Sequence, residues 1–390
     1  MQVVMIGPFG LRPKRTMASR ALPMARALVA RGHAVTVLLP PWSNPEDSGS
    51  DFEDGGVRVE NIDLPARAPL LFHLRLTRRL IRRALALKPD VIHCFKPKAY
   101  AGLSAWWLWH MKRLRRARAR LVVDEDDWEG AGGWNDRERY AWVQKRLFAW
   151  QERWGLRHCD AVTVASRALE SIVWSLGVPA SNVFYIPNGV DGSQGLAHSG
   201  QPGQLAVPPT ILLYTRFFEF KVERVLDVFE RVLHAIADAR LLVVGEGLFG
   251  EEQTLLERAQ AAGWGDRIEY QGWPADLPEA FARADAAIYP FDDTLLNRAK
   301  CAVKLTELLA AGVPVVADAV GQNVEYIRHN ETGVLVPSGD PAAMAEAVAA
   351  LLNERRRARA LGGAAARDLR TRFAWHRLVE AVERAYQGEG

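Results

Sequence analysis

Hydrophobic positions along the chain come in two kinds: short continuous apolar runs, and longer stretches with a helical period. Residues 3–6 read as a strand, followed by a loop over 7–15 and a helical pattern that runs to Arg31 and stops at Gly32; residues 34–39 are the next strand. Pro23 inside that helix predicts either a kink or the helix's true first turn. Short strands follow at 57–62, 91–94, 121–123 and 161–165, with helices between them. Strands alternating with helices predict an α/β fold built on a parallel, doubly wound sheet.

Residues 192–209, rich in Gly, Pro, Ser and Gln, carry no apolar period and read as a linker. The alternation then restarts. Strands are predicted at 210–214, 240–244, 268–270, 286–289, 313–317 and 334–336, with helices at 221–237, up to 262, and over 280–283, 303–311 and 342–352. Two βαβ halves joined by one linker predict two Rossmann-like domains facing a cleft, where ligands of such sheets bind. The linker puts the first domain over 1–191 and starts the second at 210.

Composition narrows this only a little. A length of 390 residues suits two domains of roughly 100–200 residues each. The 49% hydrophobic and 25% charged fractions exclude a disordered or fibrous chain. Cys94, Cys159 and Cys301 lie far apart, which argues against a disulfide framework or zinc site and fits a reducing, cytoplasmic setting. The chain opens directly on a strand pattern without a basic leader, so no signal peptide is expected. The apolar stretch 101–109 is about half the ~20 residues that a membrane-spanning helix needs.

Charge changes the picture more. The net charge is only +4, but residues 65–120 hold fifteen Lys and Arg against Asp90 alone. Ten of the thirteen Trp precede residue 200, so the first half combines positive charge with large flat rings. This basic stretch admits three readings: docking of the inner membrane face through an anionic surface, nucleic-acid binding, or an Arg-rich solvated surface. No recognition motif supports nucleic acid, and none is expected as a partner.

The densest chemistry is in the second half. TRFFEFK puts Arg216 and Lys221 in the loop after the first strand of that half, at the carboxyl end where anions bind. Arg298 and Lys300 precede a helix starting near Cys301, with Lys304 and Glu307 at i, i+3 on it. A helix N-terminus flanked by cations suits a diphosphate without a metal, and Glu307 suits a ribose diol. The same residues also read as a solvated helix start with a Lys–Glu pair.

With these segments in place, the chain resembles the GT-B glycosyltransferases, specifically the large family 4 of retaining, nucleotide-sugar-dependent enzymes. The matching pieces occur in order: GHAVTVL, PDVIH, ASRALESIVWSLGVPASNVFYIPNGVD, LLYTRFFEFK, LLVVGEG, IEYQGW, LTELLAAGVPVVA and TGVLVPSGDPAAMAEAV. RFAWHRLVEAVERAY resembles the final helix that returns to the first domain, so the resemblance implies that about 371–390 join the first domain and that the second spans 210–370. The resemblance implies that Arg216 and Lys221 hold the donor diphosphate, that Glu307 is the second Glu of an E-x7-E motif gripping the ribose, and that backbone at Ala302 and Val303 meets the phosphates. It places Trp273 beside the nucleobase and Gly10 in a loop facing the donor, where Lys14 and Arg15 add charge for the acceptor. The first Glu of E-x7-E is replaced by Ala299, while Arg298, Lys300 and Lys304 crowd the site.

On the acceptor side, the resemblance implies a His-Asp pair after the strand 121–123, and Asp126 and Asp127 stand there. A carboxylate at this point can orient or deprotonate an acceptor hydroxyl. The run also fits a loose D-x-D metal motif or a solvated loop, and no metal or other cofactor is expected. His93 aligns with a position near the acceptor, or serves as a strand-end hydrogen-bonder. Trp128 and Trp134, in a Gly-rich segment, are expected to wall the acceptor. Tyr140, Val143, Leu147, Trp150 and Trp154 form a helical stripe read as core.

The expected function is therefore transfer of a sugar from a nucleotide-sugar donor to a hydroxyl of a glycan or lipid-linked acceptor, with retention, by a peripheral membrane enzyme. A non-catalytic nucleotide-sugar or glycan binder, and a nucleotide-sugar epimerase, are the alternatives on the same fold.

Overall fold

The computed structural model describes residues 1–12, 16–68, 71–191 and 208–389. They form two compact units: Met1–Gly189 with Ala299–Cys301 and Trp375–Gly390, and Val190–Arg298 with Ala302–Ala374. The expected linker lies, through residue 207, outside the described residues.

In chain order the first unit holds β1 (Gln2–Ile6), α1 (Leu22–Ala30), β2 (Ala34–Leu39), β3 (Asp51–Asp54), β4 (Val57–Asn61), α2 (Leu71–Ala86) and β5 (Val91–Phe95). It continues with α3 (Ala99–Arg113), β6 (Arg120–Glu125), α4 (Trp134–Arg137), α5 (Trp142–Arg157), β7 (Ala161–Val164), α6 (Arg167–Ser175) and β8 (Val183–Tyr185). The second unit holds β9 (Thr210–Tyr214), α7 (Val222–Ala235), β10 (Arg240–Val244), α8 (Glu251–Ala261), β11 (Ile268–Tyr270), α9 (Leu277–Ala282) and β12 (Ala286–Tyr289). After α10 (Leu295–Ala299) come α11 (Val303–Ala311), β13 (Val315–Asp318), α12 (Asn323–Tyr326), β14 (Val334–Val336), α13 (Pro341–Asn353) and α14 (Arg355–Arg372). The last helix, α15 (Trp375–Gln387), packs on α1 of the first unit.

The first sheet has the order β3-β4-β2-β1-β5-β6-β7-β8 and is parallel except for the β3–β4 pair. Its central strands β1, β2, β5 and β7 are largely apolar runs because both faces are covered. Val3 and Met5 of β1 pack with Leu28 of α1 and Val379 and Val382 of α15. Val4 and Ile6 point the other way, onto Leu80 of α2, Leu108 of α3 and Leu156 of α5. The second sheet, β11-β10-β9-β12-β13-β14, is parallel throughout. Ile211 and Leu213 pack against Phe229 of α7 and Val348 of α13, while Leu212 and Tyr214 pack against Phe281, Leu305 and Leu369.

Strand order reverses between β1 and β5 in the first sheet and between β9 and β12 in the second. These are the topological switch points, and the loops at the carboxyl ends of those four strands are where an α/β sheet offers a binding crevice.

Three elements differ from the sequence expectation. β3 (DFED) is polar and largely exposed, so it lacks the apolar signal that marks its neighbours. Residues Met17–Ala21, expected as ordinary helix, form a π-helical stretch, and Pro23 falls in the first turn of α1 that follows, the second of its two readings. Helix α14 carries its apolar stripe on small residues; at Gly362 a Cβ would lie 2.0 Å from the Gly312 carbonyl oxygen, so only glycine allows this approach of α14 to the end of α11.

Candidate active site

In the second unit, the loop after β9 is built from its own polar residues. Thr215 Oγ1 accepts from the Phe217 N–H at 2.8 Å and donates to Glu219 at 3.2 Å. Phe217 takes a left-handed φ of 64° with its ring buried, so the loop turns tightly and leaves Arg216 exposed. Asn297 braces the far side, donating to the Glu219 carbonyl at 2.7 Å and the Asp292 carbonyl at 2.8 Å. Arg216 and Lys221, both exposed, have no ion-pair or hydrogen-bond partner for their side chains among the described residues. Two cations left open at the carboxyl end of β9 flank the switch point.

Gly245 ends β10 against this loop with φ 114°, and its N–H donates to the Gly272 carbonyl at 2.7 Å. A Cβ there would lie 1.9 Å from the Thr215 carbonyl oxygen. Gly245→Ala is expected to cost about 1–3 kcal/mol and to displace the Arg216 loop. Urea unfolding should register the loss, and unchanged stability would mean the loop gives way freely.

Helix α11 follows β12 and so begins on the other side of the same switch point. It has no side-chain cap. Glu307, one turn in, accepts from the Tyr214 hydroxyl at 2.7 Å. Lys304 lies 5.7 Å from the Tyr214 ring centroid and 5.8 Å from that of Trp273, and the two rings meet edge to face at 6.2 Å. Trp273 is 47% exposed. A held carboxylate, an ammonium and an open indole face thus gather at one end of the sheet, a set able to take a diol, a phosphate and a flat base.

Other expected donor residues are placed differently. The Ala302 N–H already donates to Gln322 Oε1 at 2.8 Å, so it is not open to a phosphate, which leaves Val303 and the first turn of α11. Arg298, on α10, is paired with Asp293 at 2.7 Å; that hydrogen bond raises the guanidinium's pKa and lowers the carboxyl's. Lys300 is buried in the segment Ala299–Cys301, which groups with the first unit, as does the fully buried Ala299. Gly10 is buried in the loop after β1, where a Cβ would meet only ordinary contacts at 3.8 Å. Lys14 and Arg15 lie outside the described residues.

In the first unit, the carboxyl ends of β5 and β6 hold a charged cluster. Lys96 reaches Asp127 at 2.8 Å, Asp126 at 3.7 Å and Glu129 at 3.6 Å. Lys98 donates to Glu129 at 2.8 Å and to the Tyr140 hydroxyl at 3.0 Å. Burial, opposed by Lys96 and aided by Asp127 and Asp124, raises Asp126 to about 6. Glu125 is pushed well up by burial and then by Glu152 and Asp126. A carboxyl titrating near 6 can exchange a proton with a hydroxyl at neutral pH, which suits Asp126 for acid–base work, with Asp127 the more accessible of the two.

Beneath this cluster runs a buried chain of hydrogen bonds. Tyr386 of α15 meets His93 Nδ1 at 2.9 Å, His93 Nε2 meets Thr163 at 3.1 Å, and Thr163 donates to Asp124 at 2.6 Å. Arg20 closes it with two bonds of 2.7 Å to Asp124. His93 is therefore not an acceptor-facing catalytic group. It is fully buried with both ring nitrogens occupied, and burial, reinforced by Arg20 against Asp124, lowers its pKa to about 4.

The aromatic expectations also need correcting. Trp128 is not an acceptor wall: it is buried in the core beneath α2 and α3, with its indole N–H donating to the Ala131 carbonyl at 3.0 Å. Trp134 is half-buried and opens the short α4. The stripe on α5 is not core; Val143, Leu147 and Trp150 are exposed.

Sequence reasoning missed Tyr214, which anchors Glu307, and the Lys96–Lys98 pair that faces the acids. A tyrosine closing the apolar run ILLY and a Lys-Pro-Lys directly after a strand were the available signals. Arg20 left none, since a lone arginine in a helical stretch reads as surface.

Comparison with known proteins now identifies the chain. A model of the glycosyl transferase 4-like domain matches residues 15–189, and one of glycosyl transferases group 1 matches residues 208–354. The chain belongs to the GT-B glycosyltransferases. As such it is an enzyme of glycosyl transfer, and the non-catalytic and epimerase readings are not favoured. This glycosyltransferase is 28% identical to a phosphatidyl-myo-inositol mannosyltransferase of Mycobacterium leprae, over 99% of this chain and 96% of that protein. It is 29% identical to a GDP-mannose-dependent alpha-(1-6)-phosphatidylinositol monomannoside mannosyltransferase of Mycobacterium tuberculosis, over 94% and 92% of the two chains. Its fold matches that of sucrose-phosphate synthase from Thermosynechococcus elongatus with a TM-score of 0.72 at 19% identity, covering 99% and 98% of the chains. Among the described residues, no helix is long and apolar enough to cross a membrane.

Proposed function

We infer that this glycosyltransferase moves a sugar from a nucleoside-diphosphate donor, held by the second unit, to a hydroxyl of a lipid-linked acceptor. The observation that carries the donor reading is the pair of open cations, Arg216 and Lys221, across the switch point from Glu307 and Lys304. Charge on the departing diphosphate is taken up by these side chains and by the first turn of α11, so no metal is required in that role. Trp273 stacks the base and Glu307 accepts from the ribose diol. Asp126 and Asp127 orient the acceptor hydroxyl, and the anomeric configuration is retained.

The names of the two mycobacterial relatives support a lipid acceptor and make GDP-mannose with a phosphatidylinositol the first pair to try. A thermal-shift screen of nucleoside diphosphates and their sugars tests the donor, because a ligand at 100 times its Kd adds about 2.7 kcal/mol of stability. Trp273→Ala or Glu307→Gln should weaken the binding of the responding nucleotide about tenfold or more, with the fold intact. Undiminished affinity in both would remove the pocket as assigned. Proton NMR of the product tests retention, and full activity in EDTA tests metal independence; an inverted anomeric centre, or a loss restored only by added metal, would overturn the respective point.

A further inference from the structure

Lys221 has an open side chain on a backbone that is tied down on both sides. Before it, the Glu219 carbonyl accepts from the Asp292 N–H at 2.8 Å, just beyond β12, as well as from Asn297. Lys221 itself is the residue that precedes α7, and its carbonyl accepts from the Arg224 N–H at 3.0 Å. From this first turn the Arg224 side chain, nine-tenths buried, reaches two carboxylates: Asp292 at 2.9 Å, and Asp318 at the end of β13. The turn that carries Lys221 is thus fixed to the carboxyl ends of two neighbouring strands.

Asp318 is fully buried. Its Oδ2 accepts from Arg224 and from the Phe291 N–H at 2.6 Å, and its carbonyl accepts from Asn323 at 2.9 Å. Its Oδ1 is buried without a hydrogen-bond partner, so a proton can settle there without breaking a bond. Burial raises this carboxyl most; Arg224 and the Phe291 N–H oppose the rise and Asp292 adds to it, which leaves Asp318 at about 6. The folded chain therefore binds this proton more tightly than the unfolded chain does. Ionising Asp318 takes stability away as pH climbs from about 4 to about 6. A neutral side chain of the same shape would make the same bonds without that loss, so the charge answers to function rather than to folding.

We propose that Arg224 and Asp318 are positioning residues for the donor: the Asp318 carboxylate holds Arg224, and Arg224 holds the first turn of α7 so that Lys221 stands ready for the diphosphate. The proposal rests on the donor reading given above and adds to it a pair that does not touch the ligand. A cation assists a departing diphosphate best when it is already in place, because no reorganisation is then needed as charge develops. Arg224 supplies that order through a planar fork able to span two carboxylates at once. When Asp318 takes up a proton, its bond to Arg224 falls from a charge-assisted one to a neutral one, roughly half as strong. Arg224 is then left chiefly to Asp292, whose side chain is 33% exposed, and the turn under Lys221 loosens. Donor binding is thereby coupled to the charge on a residue buried behind the clamp.

Calorimetric titration of the full chain with GDP-mannose, UDP-glucose and ADP-glucose tests it, at about pH 7.5 and about pH 5.5, on either side of the Asp318 titration. The diphosphates of these sugars are diesters, so the ligand does not itself titrate in this range. The sugar that binds should lose about threefold in affinity at the lower pH. Asp318→Asn should bind it about fivefold more weakly than wild type at about pH 7.5, with no further change on acidification. Its melting midpoint at about pH 7.5 should equal or exceed that of wild type, since no charge is left to desolvate. Arg224→Lys keeps the charge but not the fork, and should weaken binding about as much. Wild-type affinity in Asp318→Asn, a wild-type affinity that does not change with pH, or a loss in Asp318→Asn accompanied by a lower melting midpoint would each overturn the proposal while leaving the donor assignment in place. A wild type that binds none of the three sugars overturns the donor assignment, and the proposal with it.

Discussion

Replacing Arg216 or Lys221 with alanine is expected to cut sugar transfer on the order of 10²-fold, the scale of losing one preorganised charge contact to a developing anion. The reason lies in the ground state of the loop. Neither side chain has a partner among the described residues, so neither replacement releases a buried charge or breaks a packing contact. Stability should therefore stay within about 0.5 kcal/mol of wild type, and the loss should appear in kcat more than in the affinity for the nucleotide. Steady-state transfer assays on the two single variants and the double variant measure this. Because both cations act on one diphosphate, the double loss should fall short of the product of the two single ones. Unchanged turnover in both single variants would remove the clamp from the mechanism.

Arg20→Ala is expected to destabilise the first unit by about 3–5 kcal/mol, the largest single-site effect on folding. Arg20 is fully buried, and its guanidinium is held by Asp124 at 2.7 Å twice, by the Ile186 carbonyl at 2.8 Å and by Asn188 at 3.1 Å. Burial opposes its charge, but the Asp124 carboxylate outweighs that, so the guanidinium's pKa is raised. Removing it strands Asp124 in the core, along with the Thr163–His93–Tyr386 chain that ties α15 to the sheet. Replacing both partners, Arg20→Met with Asp124→Leu, should recover much of the loss, because no charge is then left unpaired. Arg26→Ala breaks a pair with Asp54 of similar geometry, at 2.6 and 2.9 Å, on the surface, and should cost below about 1 kcal/mol. Urea unfolding of the three variants separates these cases. A cost for Arg20→Ala no larger than that for Arg26→Ala would mean that the buried network does not support the fold.

The fold was largely legible because its signals are local. Runs such as QVVMI, TILLY and RLLVV are apolar on both faces, as parallel strands between two helical layers must be, and each is followed by a helical period. β3 was missed for the same reason: an edge strand with polar, exposed residues sends no such signal. The candidate site was legible in part. Arg216, Lys221, Lys304, Glu307 and Trp273 were found from strand-end and helix-start positions, but the Tyr214 hydroxyl that fixes Glu307 comes from a residue 93 positions away. Lys96 and Lys98 were counted as basic surface, although both are buried among carboxylates.

Sequence by itself determined what depends on neighbours along the chain: the alternation of strand and helix, two sheets, the loops that carry cations, and a first half rich in Arg and Trp. Tertiary structure decided which of those residues meet and which face water, since burial is a property of packed surfaces and not of order along the chain. It turned His93 and Trp128 inward, where hydrogen bonds and apolar contact satisfy them. It turned the α5 stripe outward, because only Gln151, Glu152, Gly155 and Leu156 of that helix are buried. The same period of apolar residues reads as a buried or as an exposed stripe, and only the neighbouring elements choose between them.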